Sequence, residues 1–257
     1  MAGDMKKIYE RQFDSKAYVA EYVNDQSCVE NWLIEEFYHN LFRQGKVSGE
    51  TLLDVGCGPT VRPALSASKK VSRIYLSDFL ERNLTVIEKW RKNEEDCVDF
   101  SAEFKYVAQL EGKKDTKYLE ERVRNSIAGL FRYDVAADLS SQFKSFPDDL
   151  RQFDIVTSSL CLDCVTEDKD YFKAMKNLAD LVSPGGHLAL VNAIEGTMYK
   201  VGKQEIVAAW IDEEKIRNAM ADAKLIVVEL KKHIYKSQLE MSDEKGLFTV
   251  LATKGFN

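Results

Sequence analysis

Asp54-Val55-Gly56-Cys57-Gly58-Pro59-Thr60 is the segment richest in chemical content in this chain of 257 residues. The apolar run Thr51 to Val55 leads into it, so it reads as the end of a buried strand turning into a helix. Glycine at 56 and 58 lets the backbone turn sharply and approach a ligand that any side chain would hold off. The plainer alternative is a turn that needs glycine for its shape alone. Asp78 closes a second apolar run, Ile74 to Asp78. A carboxylate there can accept hydrogen bonds from a ribose diol, although without the glycine turn upstream it would read as a helix cap or a solvated group.

Two ligand classes use this geometry. A dinucleotide site wants Gly-x-Gly-x-x-Gly, with the pyrophosphate on the helix N-terminus. Here Val61 holds the third glycine position, and Pro59 removes an amide near where the helix begins. A ligand without a pyrophosphate fits better. S-adenosylmethionine is such a ligand, with an adenine, a ribose diol, a sulfonium and an amino-acid end whose ammonium Asp54 could serve. An NAD-dependent oxidoreductase is the rival from another enzyme class.

The surrounding sequence must supply the elements that hold these residues. Strand-like runs at 51–55, 74–78, Phe131–Ala136, Phe153–Ser158, His187–Val191, Leu225–Leu230 and Phe248–Thr253 alternate with helical patterns. That predicts a doubly wound α/β domain: a Rossmann-like, mostly parallel sheet with an antiparallel C-terminal strand, under an N-terminal helical cap. Ser27 and Glu30 form a capping-box pattern that opens the cap helix, and Leu119, Val123, Ile127 and Leu130 fall at helical spacing. A Ser183-Pro184-Gly185-Gly186 turn precedes the strand that begins at His187. No linker or repeat breaks the chain, which predicts one domain over 1–257, with 1–48 as lid and cap and 49–257 as the α/β core. With 36 Lys+Arg against 42 Asp+Glu, the net charge of −6 argues against a nucleic-acid surface. No apolar run is long enough to span a membrane, and the charged N-terminus has no leader-like core behind it. Five cysteines without framework spacing suit a reducing compartment, and the expectation is a cytoplasmic monomer.

Leu53 to Thr60 resembles the glycine-rich motif of class I methyltransferases, specifically the nicotinamide, phenylethanolamine and indolethylamine N-methyltransferase family. Tyr9 to Tyr22 is similar to that family's lid. Ser77-Asp78-Phe79, with Asn83-Leu84 and Glu88-Lys89-Trp90, resembles its second-strand segment, and Ser159-Leu160-Cys161-Leu162-Asp163 its fourth-strand signature. The stretch Leu181 to Leu188 resembles its Pro-Gly-Gly turn, and Glu244-Lys245-Gly246-Leu247-Phe248 its closing hairpin. The resemblance implies an S-adenosylmethionine-dependent N-methyltransferase that releases S-adenosylhomocysteine. It implies cofactor contacts at Tyr18, Gly56, Gly58, Thr60, Asp78, Phe79, Asn83, Asp134, Val135 and Ser159. Val23 and Arg62 stand where relatives carry tyrosines.

On the acceptor side the resemblance implies Tyr22, Leu160, Asn192, Gly196, Tyr199 and Asp243. Asn192, Gly196 and Ala208 depart from the nicotinamide pattern, while Asp243 matches the acidic position that holds an ammonium in the phenylethanolamine enzymes. The expected acceptor is a small amine or an aromatic nitrogen heterocycle. Methyl transfer to nitrogen is an in-line displacement in which positioning and exclusion of water supply much of the rate. An alkylamine must also lose a proton, so Tyr18 and Asp243 are the candidate catalytic groups, with none obligatory. The departures at Val23, Arg62, Asn192 and Gly196 keep a third reading in play: a cofactor-binding member with little turnover that acts through protein contacts. Cys161-x-x-Cys164 has redox or metal spacing, but with no second pair it reads as pocket lining, and no metal is expected. Trp210 reads as core or as part of the acceptor wall.

Overall fold

The structure is a computed structural model that describes residues 2–25, 27–146, 149–235 and 241–256. The chain opens with α1 (Ala2–Gln12) and α2 (Ser15–Tyr18), which runs on into a π-helical turn over Val19–Val23. The cap helix α3 (Val29–Arg43) follows, then β1 (Thr51–Val55), α4 (Arg62–Ala67), β2 (Arg73–Asp78) and α5 (Glu81–Arg91). Two helices, α6 (Ser101–Leu110) and α7 (Lys117–Ser126), precede β3 (Ile127–Arg132). Beyond the short α8 (Leu139–Gln142) come β4 (Phe153–Ser159), α9 (Asp168–Leu181) and β5 (Val182–Ala193). The hairpin strands β6 (Met198–Val201) and β7 (Gln204–Val207), α10 (Glu213–Asp222), β8 (Leu225–Ile234) and β9 (Gly246–Lys254) complete the chain.

Seven strands form one sheet in the order β3-β2-β1-β4-β5-β9-β8. The first five run parallel, and β9 lies antiparallel between β5 and β8, as the mostly parallel reading of the sequence expects. All five residues of β1 are buried, because helices cover the sheet on both faces. Leu52 and Ile74 point into one apolar layer with α3 and α4, while Leu53 and Val156 point into the other with α9 and α10. Each such fully buried aliphatic side chain is worth about 1.5–3 kcal/mol. The topology reverses between β1 and β4, and in an open α/β sheet the crevice at such a point is where ligands bind.

Four local expectations need correction. The capping box at Ser27 does not form: Cys28 occupies the N-cap without a side-chain bond to a helix amide, and Ser27 turns back to Asp25, its amide 2.8 Å and its hydroxyl 2.7 Å from the carboxylate. Aspartate competes well for such nearby donors. The third strand begins at Ile127 and ends at Arg132, earlier than Phe131–Ala136. Ile127 and Leu130 keep helical spacing with Leu119 and Val123, yet they leave the helix to pair with β2, since apolar spacing alone does not mark where a helix stops. Ser183 to Gly186 lies within β5, where the register jumps from Phe153–Val182 to Ile155–His187, so the Pro-Gly-Gly segment is a bulge in the strand. The β6–β7 hairpin was not read from the sequence, although Gly202 (φ 59°) with Lys203 between short alternating runs is a hairpin signal. Among the described residues no helix is long and apolar enough to cross a membrane.

Candidate active site

Val55, Asp78, Ser159 and Ala193 are the last residues of β1, β2, β4 and β5, and all four line a cavity of about 420 Å³. The lid covers it. Tyr9, Phe13, Tyr18 and Tyr22 stack in series along α1, α2 and the π-helical turn, with ring centroids 5.0–5.4 Å apart. The hairpin supports the lid from outside, as Val201 and Ile206 pack against Phe13 and Tyr22. The Tyr22 hydroxyl donates to the Lys200 carbonyl (2.7 Å), and the Gly202 amide donates to Glu21 (2.8 Å). Tyr22 is therefore a strut holding the lid on the hairpin as well as a wall residue.

The glycine turn is held by Asp78. One of its carboxylate oxygens accepts from the Gly58 amide (2.8 Å), and the other accepts from the Leu80 amide (2.7 Å) and from Asn83 Nδ2 (3.1 Å). Gly56 and Gly58 have φ of 70° and 60°, the left-handed region that favours glycine. A Cβ on Gly56 would overlap the Cys161 side chain. The Asp54 carboxyl faces the cavity and accepts from the Thr157 hydroxyl (2.8 Å), and burial pushes its pKa up to about 7. Thr60 lines the wall and donates to the Cys57 carbonyl (2.9 Å), and the Ser159 hydroxyl lies 2.7 Å from that of Tyr38. On the other side of Asp78, Asp134 pairs with Lys6 of α1, whose ammonium also lies 4.5 Å from the centre of the Phe79 ring. Arg132 sits 5.1 Å from the same ring, so two cations lie against Phe79.

The structure sorts the expected site residues into two groups. Tyr18, Tyr22, Gly56, Gly58, Thr60, Asp78, Phe79, Asp134, Val135, Ser159, Leu160, Gly196 and Tyr199 line the cavity. Asn83, Asn192 and Asp243 do not. Asn83 sits behind Asp78, bonded to it and to the Ser15 hydroxyl (2.6 Å). Asn192 is fully buried and donates to Asp163 (2.9 Å). Asp163 is the group that lines the cavity there, with burial raising its pKa to about 6. Asp243 spends both oxygens on the start of β6, accepting from the Thr197 and Met198 amides (2.7 and 3.1 Å) and from the Thr197 hydroxyl. Those donors hold its pKa down against the desolvation that would raise it.

The acid that faces the cavity is the next residue, Glu244. Burial, followed by the neighbouring Glu30 carboxyl, pushes its pKa up to about 8. Glu30 and Glu244 were not picked out from sequence as site residues. Glu30 carried the capping reading instead, and nothing local joins residues more than two hundred positions apart. Leu160 (φ 57°) is a non-glycine residue in the left-handed region at the end of β4, held there by its amide bond to the Val191 carbonyl (2.9 Å). Trp210 is 48% exposed and lies outside the cavity, against Lys245.

Two consequences can be measured. Asp243→Ala should lower stability by about 0.5–1.5 kcal/mol, the loss of its hydrogen bonds to the start of β6, and leave acceptor KM within about threefold of the parent. A melting curve and steady-state kinetics would check both, and a tenfold rise in KM without loss of stability would return Asp243 to the acceptor site. Asp54 and Glu244 have folded pKa values above their unfolded ones, so the native state holds more protons than the unfolded state between those values. Stability then falls as pH rises through that window. The melting temperature of the ligand-free protein should therefore decline from about pH 5 to 8 and level off above, and Glu244→Gln should flatten the decline.

The Rossmann-like sheet, the glycine turn clasped by an acid at the end of β2 and the lidded cavity define the class: an S-adenosylmethionine-dependent methyltransferase. The dinucleotide alternative fits poorly, since α4 is only six residues long and begins Arg62-Pro63, with no side-chain cap. The chain belongs to the NNMT/PNMT/TEMT family of N-methyltransferases, whose sequence profile matches residues 4–255. It is 30% identical over 258 residues to nicotinamide N-methyltransferase of Homo sapiens, covering 97% of this chain and 96% of that one. It is 32% identical over 217 residues to phenylethanolamine N-methyltransferase of Macaca mulatta (83% and 76%) and 28% identical over 253 residues to indolethylamine N-methyltransferase of Oryctolagus cuniculus (96% and 95%). In fold it resembles the magnesium protoporphyrin IX methyltransferase of Synechocystis PCC 6803 with bound S-adenosylhomocysteine (TM-score 0.60, 13% identity, 99% and 100% covered).

Proposed function

We propose that the enzyme methylates the nitrogen of a small amine, and that the Glu30–Glu244 pair in the cavity wall receives that amine. The supporting observation is the position of this pair: two carboxyls at the cavity wall, beside Gly196, where they can hold an ammonium or take its proton. An aromatic nitrogen heterocycle has no need of such a base. The residues assembled here fit the cofactor, because the Gly56 cradle is one a Cβ would fill and Asp78 offers a buried carboxylate at its edge.

When bound, S-adenosylmethionine supplies an electrophilic methyl on a sulfonium. Asp78 and the Gly58 backbone would hold the ribose, Phe79, Asp134 and Val135 the adenine, and Asp54, Thr60 and Ser159 the amino-acid end. Asn83 would act by aiming Asp78. Tyr18, Tyr22, Leu160 and Tyr199 would enclose the acceptor and exclude water, so that the displacement runs in a dry, ordered space. Glu244, once deprotonated, would take the proton that an alkylammonium must release before its lone pair can attack, so alkylamine turnover should rise as pH passes its pKa of about 8. The molecule would work as a cytoplasmic monomer, in one domain whose residues 1–48 form the lid and cap of the 49–257 core.

Thermal melting with S-adenosylhomocysteine, with NAD as control, is the first test. Ligand at 100 times its Kd adds about 2.7 kcal/mol, roughly 5–10 °C for a chain of this size. Methyl acceptance by a panel of amines and pyridines is the second. Glu244→Gln should raise amine KM by about tenfold and leave S-adenosylhomocysteine affinity unchanged. Turnover of pyridines alone, indifferent to Glu244→Gln, would overturn the amine assignment.

A further inference from the structure

S-adenosylmethionine carries one anionic group, its α-carboxylate, and the cavity that must take it is lined with carboxyls: Asp54, Asp78, Asp163, Glu30 and Glu244. A carboxylate taken out of water into such surroundings needs a cation or several donors. Among the described residues two cations line the cavity, Lys6 and Arg62. Lys6 comes from the lid and is already paired with Asp134 and set against Phe79, on the side of Asp78 away from the glycine turn. Arg62 opens α4 just after the turn, close to the amino-acid end marked by Gly56 and Thr60.

Arg62 is held as a preformed receptor. It is 4% exposed. Its Nε donates to Glu103 (2.7 Å), and its Nη2 donates to Asn31 and, at 3.4 Å, to the Tyr22 carbonyl. Nη1 donates to no described residue. Beside the pair lies Glu35, wholly buried, with neither carboxyl oxygen hydrogen-bonded among the described residues. Burial and the neighbouring Glu103 push the Glu35 pKa well up, which favours its neutral form beside the guanidinium. One carboxylate, Glu103, fixes the fork from behind and leaves its remaining edge for a second anion. Guanidinium geometry suits this, because its five donors can serve two carboxylates at once.

We propose that Arg62 binds the α-carboxylate of S-adenosylmethionine, so that this chain reads the amino-acid end of its cofactor with a buried guanidinium clamped by Glu103 and Asn31. The inference rests on S-adenosylmethionine as the cofactor. If the wild-type protein fails to bind S-adenosylhomocysteine at all, it is that premise which fails.

The test compares two ligands by isothermal titration calorimetry: S-adenosylhomocysteine and its decarboxylated counterpart, which keeps the adenosine, thioether and amine. Wild-type protein should prefer S-adenosylhomocysteine by on the order of 30-fold, the size of one charge-assisted contact. Because Arg62→Gln alone would strand Glu103 in the interior, the variant is Arg62→Gln with Glu103→Gln. It should bind both ligands within about threefold of each other, at the affinity wild type shows for the decarboxylated one. Arg62→Lys should retain part of the preference. Equal binding of the two ligands by wild type, or an undiminished preference in the double variant, overturns the proposal. Should the double variant fail to fold, a crystal structure of wild type with S-adenosylhomocysteine decides the matter: a carboxylate more than about 4 Å from the Arg62 guanidinium also overturns it.

Discussion

Gly56→Ala should unfold much of the site and cost about 2–5 kcal/mol. Two independent penalties add. Gly56 has a φ of 70°, where an L side chain costs about 1–2 kcal/mol, and its Cβ would overlap Sγ and Cβ of Cys161. Overpacking of that kind costs a further 1–3 kcal/mol. Cys161 cannot step aside cheaply, because Leu160 before it is already in the left-handed region and bonded to Val191. A fall of about 10 °C or more in melting temperature is the expected reading, with loss of the shift produced by S-adenosylhomocysteine. The two penalties can be separated. Cys161→Gly removes the obstructing atoms, so in the double variant the steric part should return while the backbone part persists. A double-mutant cycle with no coupling between positions 56 and 161 would show that the turn relaxes by some other route.

Asp78→Ala should cut S-adenosylhomocysteine affinity by about 100-fold and lower stability by about 2–4 kcal/mol. Asp78 is 5% exposed and takes three hydrogen bonds, one from the glycine turn and two from the start of α5. A carboxylate has room for about four, so one acceptor direction remains for a ribose hydroxyl. Losing the charge-assisted bond to that hydroxyl accounts for about 1.5–3 kcal/mol of binding, and the loosened Gly58 turn for the rest. The stability loss comes from the stranded Gly58 and Leu80 amides. Asp78→Asn keeps one acceptor but sets an NH2 against donors, so it should lie between wild type and alanine. Calorimetric titration and urea unfolding measure the two effects separately. An alanine variant that binds as wild type does would remove Asp78 from the cofactor site.

These effects share an origin in the way the site is built. Backbone turns at the strand ends carry the ligand-facing groups, and acids hold the turns. Asp78 clasps the first turn, Asp163 reaches the end of β5 through the Ala193 amide (2.9 Å), and Asp243 clasps the start of β6. The desolvation that raises the pKa of Asp78 and Asp163 is the cost of placing carboxylates where backbone amides need them.

The family resemblance supplied the aromatic lid, and the sequence by itself determined the sheet, the glycine turn between β1 and α4 and the acid at the end of β2. Those features are local: apolar runs with a period of two or 3.6, glycine where the backbone must turn, an acid at a strand end. Tertiary structure decided which polar groups face the ligand. Asp243 and Glu244 are neighbours in the irregular stretch before β9, yet one holds a turn and the other lines the cavity. Which does which depends on β6, whose pairing with β7 and contact with the lid no short window contains. Asn192 stands at a position the resemblance places on the acceptor side, yet it lies behind Asp163, twenty-nine residues earlier in the chain. Arg62 looked like a lost tyrosine until Glu103, Asn31 and Glu35, brought in from α6 and α3, showed it to be a held cation. Periodicity and turn chemistry act between neighbours along the chain. Burial and the pairing of buried charge act between residues that only the packed fold brings together.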